Sequence, residues 1–119
     1  MIVTTTSEFP DRRIERTLGL VRGTSVRGRH VGQDLLAHLR NAIGGEIHEY
    51  TKMLSEAREQ ALDRMISEAM DLGANGIVGM RFSTSSPAPG SSEVLVYGTA
   101  VVLEDNLSRE IALPDAADA

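Results

Sequence analysis

Histidine is the residue of this sequence best suited to hold a metal ion, and the chain has three: His30, His38 and His48. None lies four residues from another, and the H-E-x-x-H pattern of zinc proteases does not occur. His48 has two glutamates nearby, but side chains one and two residues apart on a helix do not converge. A metal site at His48 would therefore need ligands from another segment or subunit. The alternative is an exposed histidine at the start of a helix.

Arginine is concentrated between residues 12 and 29, where six of the chain's twelve basic residues lie. Guanidinium groups bind phosphate and carboxylate through charge-assisted hydrogen bonds. Arg22, Arg27 and Arg29 therefore predict an anion site. The alternative is that these arginines pair with nearby acids or are solvated, since no glycine-rich phosphate loop accompanies them.

Side chains for covalent catalysis are poorly arranged in this sequence. The chain has no cysteine, and no serine occurs in the G-x-S-x-G pattern of hydrolases. Paired carboxylates such as Glu56 and Glu59 fall on the polar face of a predicted helix, where solvation explains them. We therefore predict that the protein is not an enzyme, with no catalytic residue and no evident cofactor. A metal ion is the one cofactor that the sequence leaves open.

Composition and charge restrict the partners. The net charge is −5, only 3% of the residues are aromatic, and there is no tryptophan. The chain therefore lacks both the basic footprint and the exposed rings that bind nucleic acids. No apolar run approaches the roughly 18 residues of a membrane-spanning helix, and the first residues do not resemble a signal peptide. We expect a cytoplasmic protein that binds neither nucleic acid nor membranes.

One long helix must position the candidate side chains described above. Residues 46–72 contain no proline or glycine, and apolar residues recur at steps of three and four. Gly73 follows, as expected just past the end of a helix. A second apolar row runs beside the first and packs either within the chain or against a neighbouring subunit. Its members are Leu62, Ile66 and Met70.

Strand patterns lie on both sides of this helix. They cover residues 1–6, 17–26, 77–82 and 93–103. A polar connector over residues 83–92 joins the last two, which predicts an antiparallel hairpin. The last strand is nearly continuously apolar, so both of its faces should be covered. Gly19 and Gly23 on the second strand indicate a close backbone approach or a bulge.

Together these elements predict an α+β fold, an antiparallel sheet in the order β-β-α-α-β-β. One short helix, over residues 32–42, and the long helix should cover it. Residues 1–104 form the single domain, and residues 105–119 form an acidic tail that we expect to be disordered. We also expect an oligomer interface, built from the second helical row and from the last strand. Its predicted residues are Leu62, Ile66, Met70, Val94, Val96 and Val102.

Several short motifs occur together in this chain. They are Gly44-Gly45, Tyr50, Leu54, Ala57-Arg58-Glu59, the run from Leu72 to Gly79, and Gly98-Thr99-Ala100-Val101. In this combination, over residues 1–104, the sequence resembles the YbjQ-like family of small bacterial proteins, which are also described as heavy-metal-binding domains. The resemblance implies a dodecin-like β-α-β-β architecture and a homo-oligomeric ring, a pentamer that is sometimes stacked as a decamer. It implies no established activity.

The expectation that follows is a non-enzymatic, ring-forming homo-oligomer with a binding or scaffolding role, whose partner is a further copy of itself. The alternative is a carrier of a small ligand or a heavy metal. Its sites would lie at subunit interfaces, near His48 or near the arginines. The mass of the native protein distinguishes a ring from a monomer, and any mass retained above that of the polypeptide indicates a bound ligand.

Overall fold

The computed structural model describes residues 1–27, 45–86, 88–89 and 91–105, except for the side chains of residues 45–50. The predicted short helix over residues 32–42 and the tail beyond residue 105 lie outside this part of the chain. Four strands and one helix follow each other along the described residues. They are β1 (Ile2–Val3), β2 (Ile14–Arg27), α1 (Gly45–Asp71), β3 (Gly76–Ser85) and β4 (Ser92–Leu103).

The four strands form one mixed sheet with the order β1-β3-β4-β2. The pairs β2–β4 and β3–β4 are antiparallel, as the sequence predicts. With α1 packed on one side, the architecture is the predicted α+β fold. β3 is longer than expected, because residues 83–85, assigned to the connector from their polarity, pair with residues 93–95 of β4.

β1 departs from the antiparallel sheet that was expected, since it runs parallel to β3. The pairing continues beyond β1 as an extended segment. The Thr4 N–H donates to the Ile77 carbonyl at 2.9 Å, and the Gly79 N–H donates to the Thr6 carbonyl at 2.8 Å. These backbone hydrogen bonds fix the direction of β1. Since β1 has two residues, its side-chain pattern is too short to indicate that direction.

α1 lies on the sheet through a line of small residues. Ala57, Ala61, Met65 and Ala69 are fully buried, which confirms the predicted inward face. A methyl group added to Gly23 of β2 would overlap the carbonyl oxygen of Ala61 and lie 2.6 Å from the backbone nitrogen of Met65. Gly23 is therefore the position of the predicted close approach, which joins the backbones of β2 and α1. No helix among the described residues is both long and apolar enough to span a membrane.

β2 also contains a bulge, the second feature that its two glycines indicated. The pairing of β2 with β4 shifts register between Thr17 and Gly19, and Gly19 has φ +118°. This bulge places an extra residue in β2 and increases its local twist. Beyond Gly19 the pairing with β4 is regular as far as Arg27.

The end of α1 is fixed to the end of β4. The Ala74 N–H donates to the Ala69 carbonyl and the Gly73 N–H to the Met70 carbonyl, each at 3.0 Å, which is the Schellman pattern of a helix end. Asn75 then holds the backbone of Leu103 with both ends of its amide. Its Oδ1 accepts from the Leu103 N–H at 2.6 Å, and its Nδ2 donates to the Leu103 carbonyl at 3.2 Å.

The two faces of the sheet are covered unequally. We call the side under α1 the helix face and the other side the open face. Residues 9–14 fold over one end of the open face, where Val78, Val101 and Leu103 are buried. At its other end, the exposed fractions are 64% for Leu20, 60% for Val26 and 39% for Tyr97. Within the described part of the chain, the first half of β4 is therefore covered on one face, not on both as its apolar sequence suggested.

Candidate interaction surfaces

The position of α1 on the sheet leaves part of the helix face exposed. The helix packs on β2 and β4 and barely reaches β3. Arg64 lies on one flank, where its Nη1 donates to the Thr24 carbonyl of β2 at 2.5 Å. Leu62 and Ile66 lie on the opposite flank, where they pack against the edge of the core together with Met80 of β3. The apolar flank of the helix therefore points toward the strand that it does not cover.

An apolar strip results along this flank. Met70 continues the row of Leu62 and Ile66 outward and is 62% exposed. Phe82 of β3 pairs with the buried Val96, so its side chain lies on the same face, and it is 43% exposed. We call this surface the helix-side strip. Its members are Leu62, Ile66, Met70, Met80 and Phe82.

β2 forms the opposite edge of the sheet. It pairs with β4 on one side and has no strand partner on its outer side among the described residues. From Gly19 to Arg27 its pairing is unbroken, so a regular row of backbone donors and acceptors faces outward. Leu20 and Val26, which no sequence pattern indicated as surface contacts, are the most exposed apolar side chains beside it. We call this surface the β2 edge.

The structure divides the predicted interface residues into two groups. Val94 and Val96 are 1% and 0% exposed, because the even-numbered residues of this part of β4 face α1. Their apolar character is explained by the core of one chain, and we remove them from the candidate surface. Val102 is half-buried, as are Leu62 and Ile66, and Met70 is exposed. For these four, participation in an interface stays a prediction.

The predicted arginine cluster is not brought together. Arg22 pairs with Tyr97 on the open face, whereas Arg27 pairs with Ser92, which is buried on the helix face. Side chains five residues apart on a strand point to opposite faces. The odd spacing of Arg22 and Arg27 in the sequence therefore already predicts that their side chains do not meet. Arg29 lies outside the described residues.

An open groove of about 540 Å³ lies beside residues 8–14. Arg12 closes one side of it. Its Nε and Nη2 donate to the Glu104 carbonyl at 3.1 and 2.8 Å. The lining carries charges of both signs and includes no serine, threonine, cysteine, histidine or lysine. Its residues are Glu8, Phe9, Pro10, Asp11, Arg12, Arg13, Ile14 and Glu104.

Comparison with known proteins places this chain in a family. The family model YbjQ_1, described as "Putative heavy-metal-binding", matches residues 1–104. The chain belongs to this YbjQ-like family. A UPF0145 protein of Methanococcus vannielii is 57% identical over 104 residues, which span 87% of this chain and 99% of that relative. A UPF0145 protein of Archaeoglobus fulgidus is 53% identical over 103 residues, spanning 87% of this chain and 95% of the relative.

A solved structure shares the fold. It is a crystal structure from Pediococcus pentosaceus, of a protein with unknown function that belongs to the DUF74 family. It matches with a TM-score of 0.59 at 20% sequence identity and covers 87% of this chain and 98% of that chain. The names of these YbjQ-like and related proteins specify no reaction.

The metal in the family description can be compared with the donors in this chain. The side chains of His30, His38 and His48 lie outside the described residues. In the described ranges, no three histidine, aspartate or glutamate side chains are placed to hold a metal ion. The whole chain lacks cysteine, the thiolate ligand that soft metals prefer. The described residues of this YbjQ-like protein therefore do not fit a heavy-metal site.

Proposed function

We propose that this YbjQ-like protein is a non-enzymatic homo-oligomer that closes into a ring and has a binding or scaffolding role in the cytoplasm. The observation that supports the proposal is the presence of two different apolar surfaces, one on the helix face beside β3 and the other at the outer strand β2. The helix-side strip lies beside β3, and the β2 edge lies beyond β4. A pentamer, or a decamer of two stacked pentamers, is the proposed assembly.

The difference between the two surfaces determines the kind of assembly. A two-fold dimer joins one patch to the same patch, whereas a contact between unlike patches is repeated from copy to copy until the ring closes. The helix-side strip presents side chains of a helix and of β3. The β2 edge presents the outer side of a strand that has no strand partner there among the described residues, with the exposed side chains of Leu20 and Val26 beside it. Because these two surfaces are not alike, they favour the repeated contact over a two-fold one.

The exposed apolar groups give this contact a driving force. Fully burying a methionine or phenylalanine side chain contributes about 1.5–3 kcal/mol. Since Met70 and Phe82 are already partly buried, their remaining exposure adds about 1 kcal/mol each to every subunit contact. In a ring each chain makes the contact twice, once with each surface, so a change in one side chain affects every junction.

Native mass spectrometry in dilute buffer tests the proposal. Five copies of the 12.8 kDa chain weigh about 64 kDa, and ten copies about 128 kDa. We expect Met70→Glu to shift the mass to smaller species, because it places a charge in each subunit contact without entering the core. Ser67→Glu adds the same charge on the solvent side of the same helix and should leave the mass unchanged.

Two results would contradict the proposal. One is a wild-type protein that is monomeric at micromolar concentration. The other is equal dissociation of the Met70→Glu and Ser67→Glu variants, since the effect would then reflect added charge and not the strip. The same spectra test the alternative, a small-ligand or heavy-metal carrier, because the family description favours a metal. Mass retained on protein purified without a histidine tag would support that alternative.

A further inference from the structure

A row of three side chains crosses the open face. Tyr97 of β4 pairs with Arg22 of β2 on one side and with Arg81 of β3 on the other. Directly opposed residues have their Cβ atoms about 4.5–5.5 Å apart. Two arginines therefore occupy the strand positions on either side of Tyr97, on three adjacent strands. The two arginines are 59 positions apart in the sequence, so only the sheet register brings them together.

Among the described residues, no carboxylate forms an ion pair with the arginines of this row. The neighbouring open-face positions among the described residues carry hydroxyl and apolar side chains. They are Leu20, Thr24, Ser83, Leu95 and Thr99. The nearest acidic residue on this face along β4 is Glu93, four residues from Tyr97 and thus about 13 Å away at roughly 3.3 Å per residue. In a chain with a net charge of −5, the row is thus a local positive site whose two arginines form no ion pair within the described residues.

The two arginines differ in how they are held. The Nη1 of Arg81 donates to the carbonyls of Thr5 and Met80, each at 2.8 Å. Its Nε and Nη2 carry the other three N–H groups of the guanidinium, and they make no hydrogen bond within the described residues. The side chain of Arg22 is exposed and makes no hydrogen bond within the described residues. One charge is thus fixed in place and the other can move toward a ligand.

We propose that Arg22, Tyr97 and Arg81 form a binding site for a small molecule that carries a phosphate group. Guanidinium groups on either side neutralise a dianion through charge-assisted hydrogen bonds, and the Tyr97 hydroxyl donates a further one. Leu95, half-buried beside Tyr97, contacts the apolar part of the ligand. All three side chains belong to one chain, so the site needs no residue of a second copy, although Arg22 lies within the β2 edge.

Titration of the full chain, followed by NMR of the arginine side-chain Nε–Hε groups and the tyrosine ring, tests this site. The probes are phenyl phosphate and benzoate, each added at constant ionic strength maintained with sodium chloride. We expect saturable shifts of Arg22 and Tyr97 with phenyl phosphate, and binding at least fivefold weaker for benzoate. Arg22→Gln should weaken phenyl phosphate binding about tenfold, the loss of one charge-assisted bond.

Arg58→Gln is the matched control, since it removes an exposed arginine from α1 on the other side of the sheet. It should bind phenyl phosphate as the wild type does. The site would be refuted by shifts that do not saturate, or by equal weakening in the Arg22→Gln and Arg58→Gln variants. Benzoate binding as tight as phenyl phosphate would refute the assignment to phosphate. Tyr97→Phe, on the central strand β4 and outside both the helix-side strip and the β2 edge, should weaken phenyl phosphate binding several-fold through the loss of one hydrogen bond and should keep the native mass of the wild type, so a failure here and a failure of the ring are distinguishable.

Discussion

Replacing Gly23 by alanine tests the contact through which α1 is held on the sheet. The added Cβ would overlap the Ala61 carbonyl oxygen and lie 2.6 Å from the Met65 nitrogen, whereas real Cβ atoms keep at least 3.0 Å from such neighbours. Both neighbours are backbone atoms, so no side-chain rotation relieves the overlap. The helix would have to move away from β2, and this would open the fully buried line of Ala57, Ala61, Met65 and Ala69.

The expected loss of stability follows from this geometry. Forcing extra atoms into a packed core costs about 1–3 kcal/mol, and separation of the helix from the sheet adds lost apolar contact. We expect Gly23→Ala to lower the free energy of unfolding by about 3 kcal/mol or more, a large share of the 5–15 kcal/mol typical of a domain. Equilibrium urea unfolding, followed by circular dichroism at several protein concentrations, measures the change and separates it from any effect of assembly.

Gly76→Ala is the matched control. It also adds a methyl group to a buried strand glycine, but its nearest neighbour is the Cδ1 atom of Leu103, at 2.8 Å. That atom is the end of a flexible side chain and can rotate aside, so the loss should stay near 1 kcal/mol, the low end of overpacking. Equal losses for the two variants would refute the argument that α1 and β2 meet backbone to backbone.

Two further predictions concern hydrogen bonds at the ends of the elements. Asn75→Ala removes both bonds to the Leu103 backbone and should lower the free energy of unfolding by about 1–3 kcal/mol; Asn75→Asp, which keeps the acceptor oxygen, should recover part of this in the same urea assay. An Asn75→Ala variant as stable as the wild type would contradict a stabilising role for these two hydrogen bonds. Arg12→Ala should cost about 1–2 kcal/mol and speed hydrogen exchange at the Glu104 N–H, which donates to the Arg13 carbonyl at 2.8 Å. Glu104→Gln should exchange as the wild type does, because Arg12 binds the backbone and not the carboxylate.

Much of the fold could be predicted because it is specified locally. The apolar periodicity of α1, its end at Gly73 and the two glycines of β2 each carry their own signal, and the structure confirms all of them. The direction of β1 had no such signal, since two residues show no alternation. The end of β3 was placed too early because serine and threonine were read as loop residues, although their backbone pairs with β4.

The candidate surfaces were harder to predict, because they depend on register. Val94 and Val96 looked like interface residues until their pairing placed them under α1. Phe82 was not selected, because its exposure depends on which strands the helix covers. The pairing of Arg22 and Arg81 with Tyr97 joins three strands, and no local pattern in the sequence indicates that they are neighbours.

The contact at Gly23 also bears on the curvature of an assembly. The number of copies that completes a circle is set by the angle between the two surfaces through which each copy meets its neighbours. Because α1 rests on β2 through backbone atoms, the helix cannot roll or slide without displacing the strand beneath it. The helix-side strip and the β2 edge thus belong to one rigid wedge. A wedge of constant angle produces rings of a single size, so we expect one sharp stoichiometry and not a distribution.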